Sequence, residues 1–402
     1  MTATVVTGVG VVAPNGLGLQ RYWDALLHGR TGIGPIERFD ASPFPSRLVG
    51  AVTDFVAKDH LPGRLLPQTD PMTQYALAAA DWAIRDAAVD DCPSPLSMGV
   101  VTAGSCGGFD FGQRELQKLW GKGPGHVSAY MSFAWFYAVN SGQIAIRHNL
   151  RGPVGVMVAE QAGGLDAINH ARRKVTGGAT MMVTGAVDSS LCPYGIAAQV
   201  TSGRLSRCDD PTTAYLPFDR RACGHVPGEG GAIFTMEDIV RARQRDARIY
   251  GEIAGYGASF DPPPGCGRGS NLRRAIEAAL ADAGLDASEV AVVFADAAGV
   301  PELDAAEAAA LEAVFGPYGV PVTAPKTLTG RLYSGAGPLD VVTAMVALRE
   351  GIIPATANVS EVDPDFALDL VLAEPRPTTG RAALVLARGF GGFNSAMIVR
   401  RA

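Results

Sequence analysis

The 402 residues contain no run of about 18 uncharged apolar residues, so no membrane-spanning helix is expected. The opening, Met1 to Gly8, lacks the charged start and long apolar core of a secretory signal. The six cysteines are scattered with no paired spacing, which excludes a disulfide framework and leads us to expect reduced thiols in a cytoplasm. Cationic charge is short as well. With 34 Lys and Arg against 40 Asp and Glu, the net charge of −6 argues against nucleic acid as a partner. Two local exceptions, Arg172-Arg173-Lys174 and the run from Arg241 to Arg245, read as a helix C-terminal turn and a solvated face. Histidine is too sparse for a metal centre: Cys223 and His225 put two ligands on one turn, and the rest are dispersed. There is no Gly-x-Ser-x-Gly elbow, phosphate loop or zinc-binding helix. Gly8 and Gly10 are too few and wrongly spaced for a dinucleotide loop.

What is present in quantity is small and apolar. Some 47% of residues are apolar, with 49 Gly and 27 Pro, so many short connections are expected. A single core stops growing near about 250–300 residues, so this length implies one large core or two fused ones. The element order then repeats. A strand over Val5–Val12 ends at Pro14-Asn15-Gly16, and a short helix follows at Tyr22–Leu27. An amphipathic helix spans Thr73–Val89, with Tyr75, Leu77, Ala78, Trp82 and Ile84 on its apolar side, before a strand at Met98–Ala103. In the second half, strand Tyr250–Gly257, the turn Pro262-Pro263-Pro264-Gly265, helix Asn271–Ala283 and strand Val290–Ala295 replay that order. Val154–Val158 leads into one helix, and Val320–Ala324 leads through a Gly-rich loop into another at Pro338–Leu348. The closing strands Gly231–Met236 and Ala382–Ala387 also correspond. The expected fold is α/β, internally duplicated, with mixed, mainly parallel sheets. Its halves are residues 1–249, with insertions at about 11–72 and 104–150, and residues 250–402, in one compact unit.

The chain is organised around the passage from Val154 to Ala167. An apolar run reading as a buried strand gives way to helical spacing, with Leu165, Ile168 and Ala171 on one face. Such an elbow holds one side chain at a helix N-terminus, where free N–H groups favour negative charge, and it usually carries Ser or Cys. Here it carries Gln161. A primary amide has no proton to lose near neutral pH and is a poor nucleophile. Either the turn is ordinary packing, or it is a nucleophile site without its nucleophile. Cys106, in a Gly-rich loop after a strand, is the rival nucleophile. It lacks a neighbouring His in sequence, so we read it as a small buried hydrophobe.

A duplicated α/β chain with a helix-top elbow resembles the thiolase fold, and specifically the β-ketoacyl synthases. The likeness rests on the opening Val6–Gly16, Pro217-Phe218-Asp219, Gly228-Glu229-Gly230-Gly231, and Gly389-Phe390-Gly391-Gly392-Phe393-Asn394, and it spans essentially the whole chain. It implies layers in the order α-β-α-β-α. Condensing members of that family carry Cys at the elbow and two His in later loops. Here Gln161 takes the Cys position, Asp296 stands for the first His, Lys326 is kept, and Arg331 stands for the second His. The resemblance therefore implies a vestigial active site in a subunit lacking the Cys-His-His set. With the phrases Val158–Gly164 and Gly330–Gly335, it is similar to the chain-length factor, the β subunit of type II aromatic polyketide synthases.

That resemblance implies a heterodimer with a catalytic ketosynthase α subunit, and an acyl carrier protein delivering malonyl groups. It implies a tunnel at the interface that receives the poly-β-ketone. No metal or organic cofactor is implied, the phosphopantetheine arm arriving on the carrier. In the sequence, Phe109, Gly112 and Leu116 fall on one face of an expected helix over 109–120. Gly inside a helix costs about 1 kcal/mol relative to Ala, which suggests either a void beside Gly112 or a closely packed neighbour. In the family this helix lines the tunnel and its bulk forms the floor. One bulky residue, Phe109, beside the small Gly112 and medium Leu116, leads us to expect a decaketide rather than an octaketide. Phe133 and Tyr194 are further candidate lining. Gln161 retains one limited role: its N–H₂, with nearby backbone N–H groups, could hold a malonyl thioester carbonyl during decarboxylation. The alternatives are an autonomous thiolase-fold malonyl-thioester decarboxylase or condensing enzyme, and a purely structural subunit.

Overall fold

The computed structural model describes residues 3–89, 94–263 and 265–402, and Pro264 of the expected turn lies outside the described residues. In the first half, neighbouring strands run Val154–Met157, Met98–Ala103, Met181–Asp188, Gly230–Asp238 and Thr4–Ala13. In the second half they run Pro321–Thr323, Val290–Phe294, Ala382–Arg388, Phe393–Arg400 and Gly251–Phe260. The first three strands of each series are parallel, and the last two join antiparallel. The repeated element order is thus a repeated topology. The sheets are mixed, but half of these pairings are antiparallel, not the mainly parallel arrangement expected. The tight turn between Ala382–Arg388 and Phe393–Arg400 shows why: a short connection can only reverse the chain, whereas parallel pairing needs a long crossover.

The halves meet where Val5 and Val6 pair with Glu252 and Gly251. Between them, helix Gly163–Thr176 packs on helix Ala336–Glu350. The latter is buried on every side from Ala336 to Leu348, and a helix apolar all round belongs to an interior. One hydrophobic cluster joins Leu165, Ile168 and Leu339 to strand residues of both halves, such as Val101 and Val385. Helices Pro71–Asp86 and Leu272–Ala283 cover the outer faces, each over its own cluster, around Leu77 and around Ile276. The result is the five-layer α-β-α-β-α arrangement. Gly164 sits where the two central helices approach. A Cβ there would lie 2.2 Å from the Ser334 carbonyl oxygen, so only Gly permits the contact.

The strand before the elbow is not buried as expected. Val154 and Val158 are 54% and 52% exposed, because Val154–Met157 is the outermost strand of its half. The matching edge of the second half, Pro321–Thr323, is covered by the short strand Asp369–Leu370. The helix expected over 109–120 spans Phe109–Lys122, but its inward face carries Phe111, Gly112 and Glu115, with Phe109 and Leu116 half-buried beside it. The void beside Gly112 is filled: a Cβ there would meet Trp135 Cβ at 3.5 Å and Met131 Cε at 4.0 Å. The space therefore holds one Cβ in ordinary contact and no larger void. Among the described residues, no helix is long and apolar enough to cross a membrane, and no cluster of three or more His, Cys, Asp or Glu could hold a metal.

Candidate functional site

Strand Val154–Met157 hands over to a short turn, Glu160–Ala162, and then to helix Gly163–Thr176. Gln161 at its centre is fully buried. Its Nε2 donates to Asp296 Oδ1 at 2.6 Å. Asp296 also takes two hydrogen bonds from Arg331, at 2.9 and 3.0 Å, and one from the Arg388 N–H at 2.8 Å. Arg331 also donates to the Asp296 and Arg388 carbonyls, at 3.1 and 2.8 Å. Lys326 pairs with Asp340 at 2.8 Å and bonds the Ala295 carbonyl. The structure therefore brings Gln161, Asp296, Lys326 and Arg331 together in one buried network.

The electrostatics close this network further. Burial opposes ionisation of Asp296, yet Arg331, then Lys326 and Arg388, outweigh it and hold the carboxyl below the usual range. The guanidinium and carboxylate satisfy each other, so neither is free to move a proton. The Gln161 amide is directed at Asp296. A carboxylate can only accept, which fixes the N–H₂ toward Asp296 and leaves Oε1, an acceptor without a partner, facing away.

Cys106 is no substitute nucleophile. Burial first, and then the Asp188 carboxylate, push its thiol well above the ordinary range, and Sγ lies 3.8 Å from Asp188 Oδ1. His225 is buried among cations. Burial and Arg331 lower it to about 3, so it is neutral, and its Nδ1 has no partner.

The chain-length candidates fall into two groups. Phe109 and Tyr194 meet, with ring centroids 5.0 Å apart, and the Tyr194 N–H donates to Gln113 Oε1 at 2.7 Å. Gly112 lies against Trp135, and Phe133 meets Tyr130 edge-on at 5.9 Å. Leu116 is half-buried on the same helix.

Sequence reasoning missed several acids. Glu307 accepts the Asp296 and Ala297 N–H groups at 2.7 and 2.8 Å, and burial and Asp296 raise its pKa. Glu160 accepts the Phe390 N–H at 2.7 Å. Acids inside the Ala-rich stretch 301–315, and beside the elbow residue, were the available signals. Two adjoining cavities open here. One, about 270 Å³, is lined by Glu160, Arg204, His225, Arg331, Tyr333 and Phe390; the other, about 320 Å³, shares Arg204, Arg331 and Phe390 and adds Asp296 and Arg388. Arg204 stacks over the Phe390 ring at 4.7 Å between them.

Family models for the β-ketoacyl synthase N-terminal and C-terminal domains match residues 1–238 and 250–360. The chain belongs to the β-ketoacyl synthase family. Within it, the chain is of the ketosynthase β, chain-length-factor type. It is 61% identical over 401 residues to the actinorhodin polyketide β-ketoacyl synthase 2 of Streptomyces coelicolor, covering 99% of this chain and 98% of the relative. It is 56% identical over 400 residues to the tetracenomycin polyketide synthase ketoacyl synthase β subunit of Streptomyces glaucescens, covering 99% and 98%. The solved ishigamide ketosynthase/chain length factor superposes with a TM-score of 0.90 at 28% identity, covering 100% of this chain and 99% of that one.

Proposed function

We propose that this family member is the non-condensing half of a heterodimeric ketosynthase of aromatic polyketide synthesis, and that helix Phe109–Lys122 forms part of the tunnel for the growing poly-β-ketone. The observation that carries the reading is the elbow itself: a buried Gln161 locked to a mutually satisfied Asp296–Arg331 pair. Acyl transfer needs an activated nucleophile, so the bond-making thiolate belongs to a partner. Apolar surface on the chain supports that partner. Trp135, Phe136 and Tyr137 are 41–48% exposed in one segment, and Trp135 borders the tunnel helix at Gly112. Exposed aromatic patches of this kind mark protein interfaces.

The partner is a catalytic ketosynthase α subunit, and an acyl carrier protein supplies malonyl groups on its phosphopantetheine arm. Claisen chemistry on thioesters needs no metal or organic cofactor in either subunit. An autonomous decarboxylase or condensing enzyme would need a free carbonyl donor or a thiolate, and neither Gln161 nor Cys106 provides one. We take the product to be the longer one, a decaketide, because one bulky residue, Phe109, shares its helix face with the small Gly112 and the medium Leu116.

The test is the chain co-expressed with its ketosynthase and supplied with malonyl-carrier protein, with product length read by mass spectrometry. A decaketide is expected from the wild type, and Phe109→Ala or Tyr194→Ala should lengthen it. An octaketide from the wild type would remove the length assignment, and unchanged length in both variants would remove the role of this helix.

A further inference from the structure

Two backbone N–H groups from distant parts of the chain are aimed at one carboxylate. The Phe390 N–H donates to Glu160 Oε2 at 2.7 Å, and the Gln161 N–H, next along the chain, lies near the same side chain. A converging pair of backbone N–H groups at a helix start is the arrangement that holds an oxyanion during acyl transfer. Here a carboxyl group of the chain's own already sits against one of them. Glu160 is held at φ 49°, in the left-handed region that a residue with a side chain seldom adopts. Arg331 and Arg204 lie close enough to interact with the carboxylate electrostatically. It lines the cavity of about 270 Å³ with His225, whose buried Nδ1 has no partner.

We propose that Glu160 plugs the elbow in cis, its carboxylate taking the place that the carbonyl oxygen of an acyl thioester would occupy. No thioester can seat its carbonyl on this chain while Glu160 is there. The Phe390 N–H comes from a loop 230 residues away in sequence, which separates this contact from local capping. The ligand class of the unplugged site is an acyl thioester, its oxygen accepting from Gln161 and Phe390. The inference does not depend on which residues end the tunnel, and its outcome is separable from product length.

The test uses the co-expressed complex with the partner's nucleophile alkylated, and two variants. Glu160→Gly removes the carboxylate and suits the left-handed backbone, so folding is kept. Glu160→Gln retains an oxygen that accepts from both donors. Backbone exchange should rise by at least about ten-fold at Gln161 and Phe390 in Glu160→Gly, stay near wild type in Glu160→Gln, and stay unchanged in strand Met181–Asp188. The binding probe is an acetyl-pantetheine analogue with CH₂ for sulfur and a ¹³C carbonyl. Glu160→Gly should bind it at least about ten-fold tighter than wild type, with the ¹³C signal moved downfield. Wild-type exchange rates at both amides in Glu160→Gly, or probe binding no tighter than wild type, overturns the proposal.

Discussion

At the scale of single residues, the vestigial site trades mobile protons for fixed charge. Asp296 carries the most bonds in it, so its removal is the most informative. In Asp296→Ala, Arg331 stays buried and loses its hydrogen-bonded carboxylate, keeping bonds to carbonyl oxygens only. Breaking a buried ion pair from one side costs about 3–5 kcal/mol. Gln161→Ala removes one hydrogen bond and leaves the pair intact, a loss of roughly 1 kcal/mol. Denaturant midpoints for the two variants should differ accordingly, and equal losses would show that the pair is not the centre of the network. His225 gives a second, pH-dependent expectation. Its folded pKa of about 3 lies below that of an unfolded histidine, so between the two values the unfolded chain binds the extra proton. Stability contributed by neutral His225 is present above about pH 6.5 and is lost as pH falls, by about 1.4 kcal/mol per pH unit. His225→Phe should flatten the stability curve between pH 6.5 and 4.5, and an unchanged slope would show that other groups carry the acid sensitivity.

At the scale of elements, the helix that borders the proposed tunnel is fastened at its start and packed at its centre. Asp70 caps two helices at once, accepting the Met72 N–H and the Phe111 N–H, each at 2.9 Å. Gly112 has room for one Cβ in ordinary contact with Trp135 and no more. Gly112→Ala should therefore be tolerated and gain up to about 1 kcal/mol of helix propensity. Gly112→Phe must push Trp135 aside, and with it a segment that is half exposed. Circular dichroism melting and product length together check this, because a tolerated phenyl ring with unchanged product would place Gly112 away from the tunnel. Element order, the strand-to-helix elbow and the buried stripe Leu165–Ile168–Ala171 were legible, because their periods and turn residues are local. The contact that fills the space beside Gly112 was not, since Trp135 comes from a separate segment. Nor was the capture of the Phe390 N–H by Glu160, residues 230 apart in sequence. Gln161 itself was legible because it stands inside a motif that names what is missing. Its orientation was set by Asp296, which no local pattern reveals.

At the scale of the whole molecule, the two halves repeat one topology but not one surface. Asp369–Leu370 covers the outer strand in the second half, whereas Val154–Met157 presents a bare backbone edge in the first. An edge flanked by exposed Val154 and Val158 is a template for another strand. Edge pairing adds backbone hydrogen bonds and apolar contact across an obligate interface, which typically buries more than about 2,000 Å². Lysine on such an edge opposes pairing by charge and by the cost of desolvation. Val154→Lys with Val158→Lys should weaken the pair formed with the ketosynthase by at least about ten-fold, while leaving the thermal melting of this chain's own core within about 0.5 kcal/mol. Val240→Lys, at a residue 51% exposed on a helix away from that edge, is the control and should change neither. Sedimentation of the purified pair at stepped concentrations reads the dissociation directly. If the edge variant and the control dissociate alike, the interface lies elsewhere, and the aromatic segment from Trp135 to Tyr137 is left to hold the partner alone.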